Sequence, residues 1–218
     1  MLDSKKKIKK QIMKSFKTIL LLFLVSIAIS CSDSNDSADS SNGSTAPAEY
    51  STVPPYYPID FETDGYGASW TWTVFENDDN PALEVVDNPD KSGINTSSKV
   101  AKMITRANGQ PYAGCESKHG TDIGSFEFDA TNTTVKIMVY KTIISDVGLK
   151  FVEASSDAQP EVKVANTKIN EWEELTFDLS GSIGKGASGI IDQIVVFPDY
   201  KSRSTDHTTY FDNITFGE

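Results

Sequence analysis

From residue 59 onward, apolar residues alternate with polar ones in short runs separated by turn-forming residues. In the segment TVKIMVYK, for example, Val135, Ile137 and Val139 take one parity and the residues between them take the other. Period-two alternation is typical of half-buried β-strands, because successive side chains of a strand point to opposite faces. Almost no segment of this region has the periodicity of a helix. The pattern therefore predicts an all-β fold.

The alternation predicts strands at 59–62, 70–75, 83–87, 98–105, 112–117, 124–128, 133–140, 147–153, 161–165, 171–178, 190–197 and 208–216. The segments between them, such as ANGQP, GTDIG and SGSIGKGASG, contain the Gly, Pro, Asn and Asp residues that tight turns need. The segment IIDQIVVFPD is apolar on both faces, which predicts a central strand. Short strands at this spacing favour an antiparallel β-sandwich, and we predict a jelly roll.

The first 30 residues have the pattern of a signal peptide. Several lysines precede an apolar run from Thr18 to Ile29. That run is shorter than the roughly 20 residues that a membrane-spanning helix needs. We therefore expect residues 1–30 to direct export and to be removed.

The segment IAISC, which ends at Cys31, resembles the lipobox of bacterial lipoproteins. The resemblance implies lipid attachment at Cys31; an ordinary secretory peptide with a chance cysteine is the alternative. Residues 31–55 are rich in Ser, Asp, Asn and Pro, a composition typical of a disordered tether. Acidic residues directly after the cysteine resemble the surface-export signal of lipoproteins from Gram-negative glycan-foraging bacteria. The expected location is the outer membrane, facing the cell exterior, with residues 56–218 forming one domain.

Removal of the leader makes the chain strongly acidic. The leader contains 7 of the 20 basic residues and 1 of the 31 acidic ones, which leaves 13 basic and 30 acidic residues. Because such a chain repels phosphate backbones, we predict no nucleic-acid partner. Once Cys31 carries lipid, Cys115 is the only other cysteine, so no intramolecular disulfide is expected.

The chain contains no recognisable catalytic motif. His119 and His207, its two histidines, lie in turn-rich polar segments and belong to no zinc-protease or nucleophile-elbow motif. We interpret both as solvated loop residues, and we predict that the protein is not an enzyme.

Three glutamates, Glu171, Glu173 and Glu174, lie close together beside Trp172. A glycosidase needs two carboxylates about 5 to 10 Å apart on one site. Strand alternation sends Glu173 and Glu174 to opposite faces. The simpler interpretation is a solvated strand start.

Seven segments in a fixed order carry a resemblance to a known family: IDFE at 59, NPDKSGINTSSKV, YAG at 112, GLKFVE at 148, NEWEELTFDLSG at 170, IDQIVVFPD at 191 and YFDNITF near the end. In that order they resemble the jelly-roll carbohydrate-binding modules that accompany bacterial β-glucanases or occur as cell-surface glycan-binding lipoproteins. The resemblance spans residues 59–218. It implies non-catalytic binding of a neutral polysaccharide, above all laminarin-type β-1,3-glucan, near a degradation and uptake system that includes an outer-membrane transporter.

The resemblance also implies a structural Ca²⁺ held by Asp60, Glu62 and Asp212, with backbone carbonyls near Ser92 and Gly93. Ca²⁺ takes six to eight hard oxygen ligands. Carboxylates from both ends of the domain would then hold together a fold that has no disulfide. The alternative is that these are ordinary edge and turn residues.

Sugars are bound by stacking their C–H faces on aromatic rings and by hydrogen bonds to their hydroxyls. The aromatic candidates are Trp70, Trp72, Tyr112 and Tyr140. Trp70 and Trp72 share one face if their segment is a strand. For Trp172, packing in the core is favoured over ligand contact.

Lys150 points out of a strand, on the face opposite Leu149 and Phe151, and is the candidate donor to sugar hydroxyls; Gln193 is a weaker one. The alternative for Lys150 is a solvated strand face. Two other functions stay open at this point: a small glycosidase or lyase, and a structural or adhesive lipoprotein.

Overall fold

The computed structural model of the protein describes residues 58–218. The predicted signal peptide, the lipidation site Cys31 and the tether lie outside these residues. The described chain folds into two five-stranded antiparallel sheets packed face to face. The prediction of an all-β antiparallel sandwich is confirmed.

The strands, in chain order, are β1 Thr73–Phe75, β2 Glu84–Asp87, β3 Lys99–Thr105, β4 Gly114–Glu116, β5 Thr134–Lys141, β6 Asp146–Glu153, β7 Val162–Ala165, β8 Trp172–Asp178, β9 Ile191–Tyr200 and β10 His207–Gly217. A short 3₁₀ helix, Ser180–Ser182, follows β8. Within residues 58–218, no helix is long and apolar enough to cross a membrane.

Sheet I has the strand order β1-β4-β9-β6-β7, and sheet II has the order β2-β3-β10-β5-β8. β9 is the middle strand of sheet I, as predicted from its continuous apolar sequence. Its apolar residues serve both faces: Ile194 and Val196 enter the core between the sheets, while Val195 and Phe197 belong to a separate cluster on the outside.

The core lies between the two sheets and is built from the inward parity of each strand. In β5 the buried apolar residues are Val135, Ile137 and Val139, as the alternation predicts. In sheet I, Leu149 and Phe151 of β6 face them from the other side of the core. Burial of aliphatic and aromatic side chains of this size contributes about 1.5–3 kcal/mol each.

Two predicted strands are reduced to single bridges. At 59–62, only Ile59 pairs, with Ile214 of β10. The chain turns away directly afterwards, because Gly65 donates to the Glu62 carbonyl and Gly67 donates to the Asp60 carbonyl. At 124–128, only Phe126 pairs, with Ile191, and its ring packs edge-on against Phe128 in the core.

Candidate functional site

The outward face of sheet I carries a second apolar cluster, distinct from the core. Val152, Val195 and Phe197 form its buried floor, and the half-buried Phe75 and Tyr200 pack against it. We call this surface the sheet I outer face. An apolar cluster is unexpected on the solvent side of a sandwich, where polar residues normally alternate with the core residues. The surface is therefore a candidate binding site.

The ring of Phe197 lies between two glycines on the neighbouring strands. A Cβ atom at Gly114 would come within 3.0 Å of Phe197 Cδ1, and one at Gly148 within 3.0 Å of Phe197 Cδ2. Gly148 is also in register with Lys163 of β7, and Gly114 with Phe75 of β1. The two glycines let the ring lie low, so that a cross-strand row from Phe75 to Lys163 spans the whole sheet.

Two lysines lie over the aromatic rings of this face. The Lys150 Nζ is 5.5 Å from the centroid of the Phe197 ring, and the Lys163 Nζ is 4.0 Å from that of Tyr200. Lys163 also pairs with Glu161 at 3.4 Å. Burial raises the pKa of the Tyr200 phenol, and the Glu161 carboxylate adds to the rise. The face thus combines apolar rings with polar groups that can donate to and accept from hydroxyls.

Tyr112 lies next to this face. It is 41% exposed, and Lys201 donates to the carbonyl of the preceding Pro111 at 3.0 Å, which places Tyr112 beside Tyr200. The structure therefore brings together Lys150 and Tyr112, two of the predicted glycan-binding residues. Gln193 lies on the same face but is buried, and its amide donates to the Ser117 carbonyl at 2.8 Å.

Trp70 and Trp72 lie elsewhere, in the segment before β1. Their rings stack with centroids 5.6 Å apart. Trp72 also packs against Phe61 and Phe211 of the core, and its Nε1 donates to the Gly67 carbonyl at 3.1 Å. Both rings are half-buried against the core, where Trp72 contacts Phe61 and Phe211 and Trp70 contacts Tyr66.

A cavity of about 370 Å³ lies beside Trp70. Its lining includes Tyr66, Trp70, Asp64 and Asp122. This volume is at the lower end of the range typical of small-ligand sites.

Tyr140 lies on the outward face of sheet II, away from the other candidates. Its ring contacts Trp172 and Tyr210, with centroids 5.8 and 5.9 Å away. Trp172 is buried, as expected, and its Nε1 donates to Asn88 Oδ1 at 3.0 Å and to the Asp90 carbonyl at 2.9 Å. This row of rings supports the loop before β3.

The predicted calcium ligands do not form a three-carboxylate cluster. Among residues 58–218, no group of three or more His, Cys, Asp or Glu side chains is placed to hold a metal ion. Glu62 Oε1 instead accepts hydrogen bonds from the Ser98 and Lys99 backbone N–H groups. From the loop that contains Ser92 and Gly93, it is Asn95 that reaches Asp212, at 3.0 Å.

Asp212 nevertheless has an unusual environment. It is fully buried, and its Oδ1 accepts no hydrogen bond, whereas Oδ2 accepts from Asn95 and Asn213. Burial raises the pKa of Asp212, and the nearby charge of Asp60 adds to the rise. A buried, unpartnered carboxylate oxygen is costly unless a cation or donor meets it.

A buried polar network is the main feature that the sequence analysis missed. Asp199 is fully buried and accepts hydrogen bonds from Ser145, Thr105, Arg203 and His207. The prediction that His207 is a solvated loop residue is wrong. His207 is the first residue of β10, and its Nδ1 lies 2.8 Å from Asp199 Oδ2. Alternation alone gives no signal for such a network, because its members come from four separate segments.

Lys141 completes this network. Its Nζ donates to Ser145 Oγ at 2.6 Å and to the Pro198 carbonyl at 2.8 Å, and burial lowers its pKa to about 8. Ser145 donates to Asp199 and not to a histidine. The network therefore has the character of a structural ion cluster and not of a nucleophile with its base.

His119 and Cys115, the remaining histidine and the cysteine within residues 58–218, are not arranged as a nucleophile and its base. His119 Nδ1 lies 2.6 Å from Asp192 Oδ1 at the surface. Cys115 is buried in the core, and burial raises the pKa of its thiol far above the usual range. A buried thiol of this kind is chemically inert.

No family model and no curated protein matches the chain. Among solved structures, the arabinose-bound form of an α-L-arabinofuranosidase is similar with a TM-score of 0.51 and 10% identity, over 76% of this chain and 26% of that one. The CBM22-1 and GH10 modules of Clostridium thermocellum endo-1,4-β-D-xylanase 10B, complexed with xylohexaose, match with a TM-score of 0.47 and 14% identity, over 74% of this chain and 29% of that one. A family 61 carbohydrate-binding module in complex with β-1,4-galactotriose matches with a TM-score of 0.44 and 16% identity, over 73% of this chain and 95% of that one. The chain thus spans less than a third of the two enzymes, and at these identities the likeness concerns the fold alone.

Proposed function

We propose that the protein binds a neutral polysaccharide on the sheet I outer face without transforming it. The observation that carries the proposal is a group of aromatic rings on the solvent side of the sandwich. The half-buried Phe75 and Tyr200 pack on a buried floor that includes Phe197, with the exposed Tyr112 next to them and the Lys150 Nζ over the Phe197 ring. Sugar rings present apolar C–H faces and a rim of hydroxyls, so a ligand surface for them needs aromatic rings flanked by polar side chains.

The shape of the face favours a chain over a single sugar. The cross-strand row from Phe75 through Phe197 to Lys163 runs over five strands, which at about 4.8 Å per strand corresponds to roughly 20 Å. The half-buried rings of Phe75, at one end of the row, and of Tyr200, which packs against Phe197 on β9, provide stacking positions that are set by the sheet itself. Such a platform is preorganised, so little entropy is lost when a ligand docks.

The chemistry of the ligand follows from charge. The chain without its leader has more than twice as many acidic as basic residues, so it repels sulfated and uronic glycans at low salt. Among neutral glycans, the sequence resemblance favours laminarin-type β-1,3-glucan. The arabinofuranosidase that shares the sandwich shows that this fold occurs in a carbohydrate-active protein.

The proposed setting is the outer membrane. Lipid at Cys31 and a tether over residues 31–55 would hold the binding domain at the exterior of the cell, where captured polysaccharide can be passed to an outer-membrane transporter. The support for this setting is the lysine-rich apolar leader and the IAISC segment.

A structural Ca²⁺ at Asp212 is part of the proposal. Two observations suit a calcium ion at this position: the Oδ1 of Asp212 is buried without a hydrogen-bond partner, and the carboxylate of Asp60 is nearby. Hard oxygen atoms of this kind are the ligands that Ca²⁺ takes. Asp60 and Asp212 would hold the ion, and Glu62, which accepts hydrogen bonds from the Ser98 and Lys99 N–H groups, would fix the segment that follows Asp60. Bound there, the ion would neutralise buried charge next to the Ile59–Ile214 bridge.

The test is affinity electrophoresis in gels containing laminarin, mixed-linkage glucan, alginate or no glycan. Tyr112→Ala and Lys150→Ala are compared with Lys136→Ala, a matched lysine that faces solvent from the middle of a strand in sheet II. We expect laminarin to retard the unmodified protein and Lys136→Ala, and to retard Tyr112→Ala and Lys150→Ala much less. If no gel retards the protein, glycan binding is wrong and an adhesive role gains weight; if the glycan is degraded, the protein is an enzyme.

A further inference from the structure

The cavity beside Trp70 shares no lining residue with the sheet I outer face. Tyr112 precedes β4, whereas Asp122, which lines the cavity, follows it. β4, Gly114–Glu116, therefore lies between Tyr112 and the segment that contains Asp122. The stack of Trp70 on Trp72 also leads into the core and not onto the outer face.

The aromatic wall of the cavity is rigid. One side of Trp70 lies on Trp72, which is held by Phe61 and Phe211 and by its hydrogen bond to Gly67. Tyr66 meets Trp70 edge-on, with centroids 5.0 Å apart. A half-buried indole held in this way offers a stacking surface without further ordering.

The polar wall consists of carboxylates and hydroxyls. Asp122 is 9% exposed, and its Oδ2 accepts from the Lys118 N–H at 2.7 Å and the Thr71 N–H at 3.2 Å, which fixes the plane of the carboxylate. Asp64, Ser69 and Thr121 complete the polar lining, and none of the lining residues within 58–218 is a lysine or an arginine. The cavity therefore disfavours anions and suits a ligand rich in hydroxyl donors.

We propose that this cavity is a second sugar-binding site, which takes one end or a short stretch of a neutral oligosaccharide by stacking on Trp70 and by hydroxyl donation to Asp64 and Asp122. The inference rests on the proposed function for its ligand class. Two sites at different places on one domain raise the effective concentration of a polymer at each of them, so a long glycan is held more tightly than a short one.

The experiment is isothermal titration of the 218-residue chain in detergent with laminaritriose and cellotriose, short enough to occupy one site at a time. Trp70→Ala and Asp64→Ala remove groups of the cavity, Lys150→Ala changes the outer face, and Asp178→Ala is the control for an exposed carboxylate. Because Asp64 is exposed at a turn, its replacement keeps the fold even if Trp70→Ala disturbs it. Heteronuclear NMR of the Gly65 and Thr121 amides reports on the cavity directly.

We expect two classes of site in the unmodified chain and one in Trp70→Ala. Binding at the lost class should weaken by about tenfold or more, with a similar loss in Asp64→Ala and none in Asp178→Ala. If Trp70→Ala and Asp64→Ala bind as the unmodified chain does while Lys150→Ala loses all binding, the cavity is not a sugar site and the proposed function stands. If Lys150→Ala has no effect and Trp70→Ala loses all binding, the cavity is the sugar site and the outer face is not. If neither the unmodified chain nor any variant binds laminaritriose, cellotriose or laminarin, both proposals are wrong.

Discussion

Trp70 lies on Trp72 with an angle of 30° between the two ring planes, and both rings are half-buried against the core. Trp72 contacts Phe61 and Phe211 of the core, whereas Trp70 borders a cavity. Of two tryptophans separated by a single residue, Trp72 therefore supports the stack from the core and Trp70 lines the cavity.

The first prediction concerns this division. Trp72→Ala should lower the free energy of unfolding by about 3 kcal/mol, because it removes a large ring packed on the core. Trp70→Ala should cost less, about 2 kcal/mol, because it removes the aromatic pairs with Trp72 and Tyr66 but no contact to Phe61 or Phe211. Urea unfolding followed by circular dichroism measures both, and equal losses would contradict the assignment.

The second prediction concerns the glycines beside Phe197. A methyl group at position 148 would lie 3.0 Å from Phe197 Cδ2, so Gly148→Ala must displace the ring. We expect a loss of about 1–3 kcal/mol from overpacking, together with weaker retardation by laminarin. Gly217→Ala is the control, because a Cβ there meets no atom within 4 Å. Thermal unfolding and affinity gels give the two readouts, and an unchanged Gly148→Ala would show that the ring has room to move.

The third prediction concerns calcium. At a hundredfold excess over its Kd, a specifically bound ion stabilises the native state by about 2.7 kcal/mol. We therefore expect CaCl₂ to raise the Tm of the protein after treatment with a chelator, and to have no such effect on Asp212→Asn. Asp178→Asn should respond as the unmodified protein does. A Tm that is the same with chelator and with calcium would exclude a structural ion.

The fourth prediction concerns pH. Burial alone would raise the pKa of Asp199, but hydrogen bonds from Ser145 and His207 and the charges of Lys141 and Arg203 hold it below 3.8. Because the pKa in the folded state is lower than in the unfolded state, the stabilisation is present above pH 3.8 and is lost as the pH falls through the folded value.

Asp199→Asn should cost about 3–5 kcal/mol at pH 7, since it leaves Lys141 and Arg203 without their buried partner. The difference in Tm between the unmodified protein and Asp199→Asn should become smaller as the pH falls below 3.8. Scanning calorimetry from pH 7 to pH 2 measures it, and a gap that stays constant would mean that Asp199 is not the titrating group.

The fold follows from the sequence because alternation reports directly on burial. The inward residues of β5 and the central position of β9 are both visible as patterns of apolar residues, and both are confirmed. The bridges at Ile59 and Phe126 were predicted as full strands, because alternation does not show where a chain leaves the sheet.

The candidate site follows only in part. The outward direction of Lys150 is a matter of parity, so it could be predicted. The apolar floor beneath it could not, because Val195 and Phe197 look like core residues in a strand that is apolar on both faces. Asp199 and His207 come into contact only in the folded sandwich, and no local sequence pattern predicts that contact.

The bridge between Ile59 and Ile214 determines how the domain would bear a mechanical load. A pull on the residues before Ile59 enters the sandwich through two hydrogen bonds, of 2.9 and 3.1 Å, to the backbone of β10. β10 is the middle strand of sheet II, held by β3 on one side and β5 on the other. Tension applied at that point is thus distributed to both neighbours of a central strand, while a polymer held by sheet I pulls on the opposite layer. The tightly packed core between the two sheets is the element that connects these two forces.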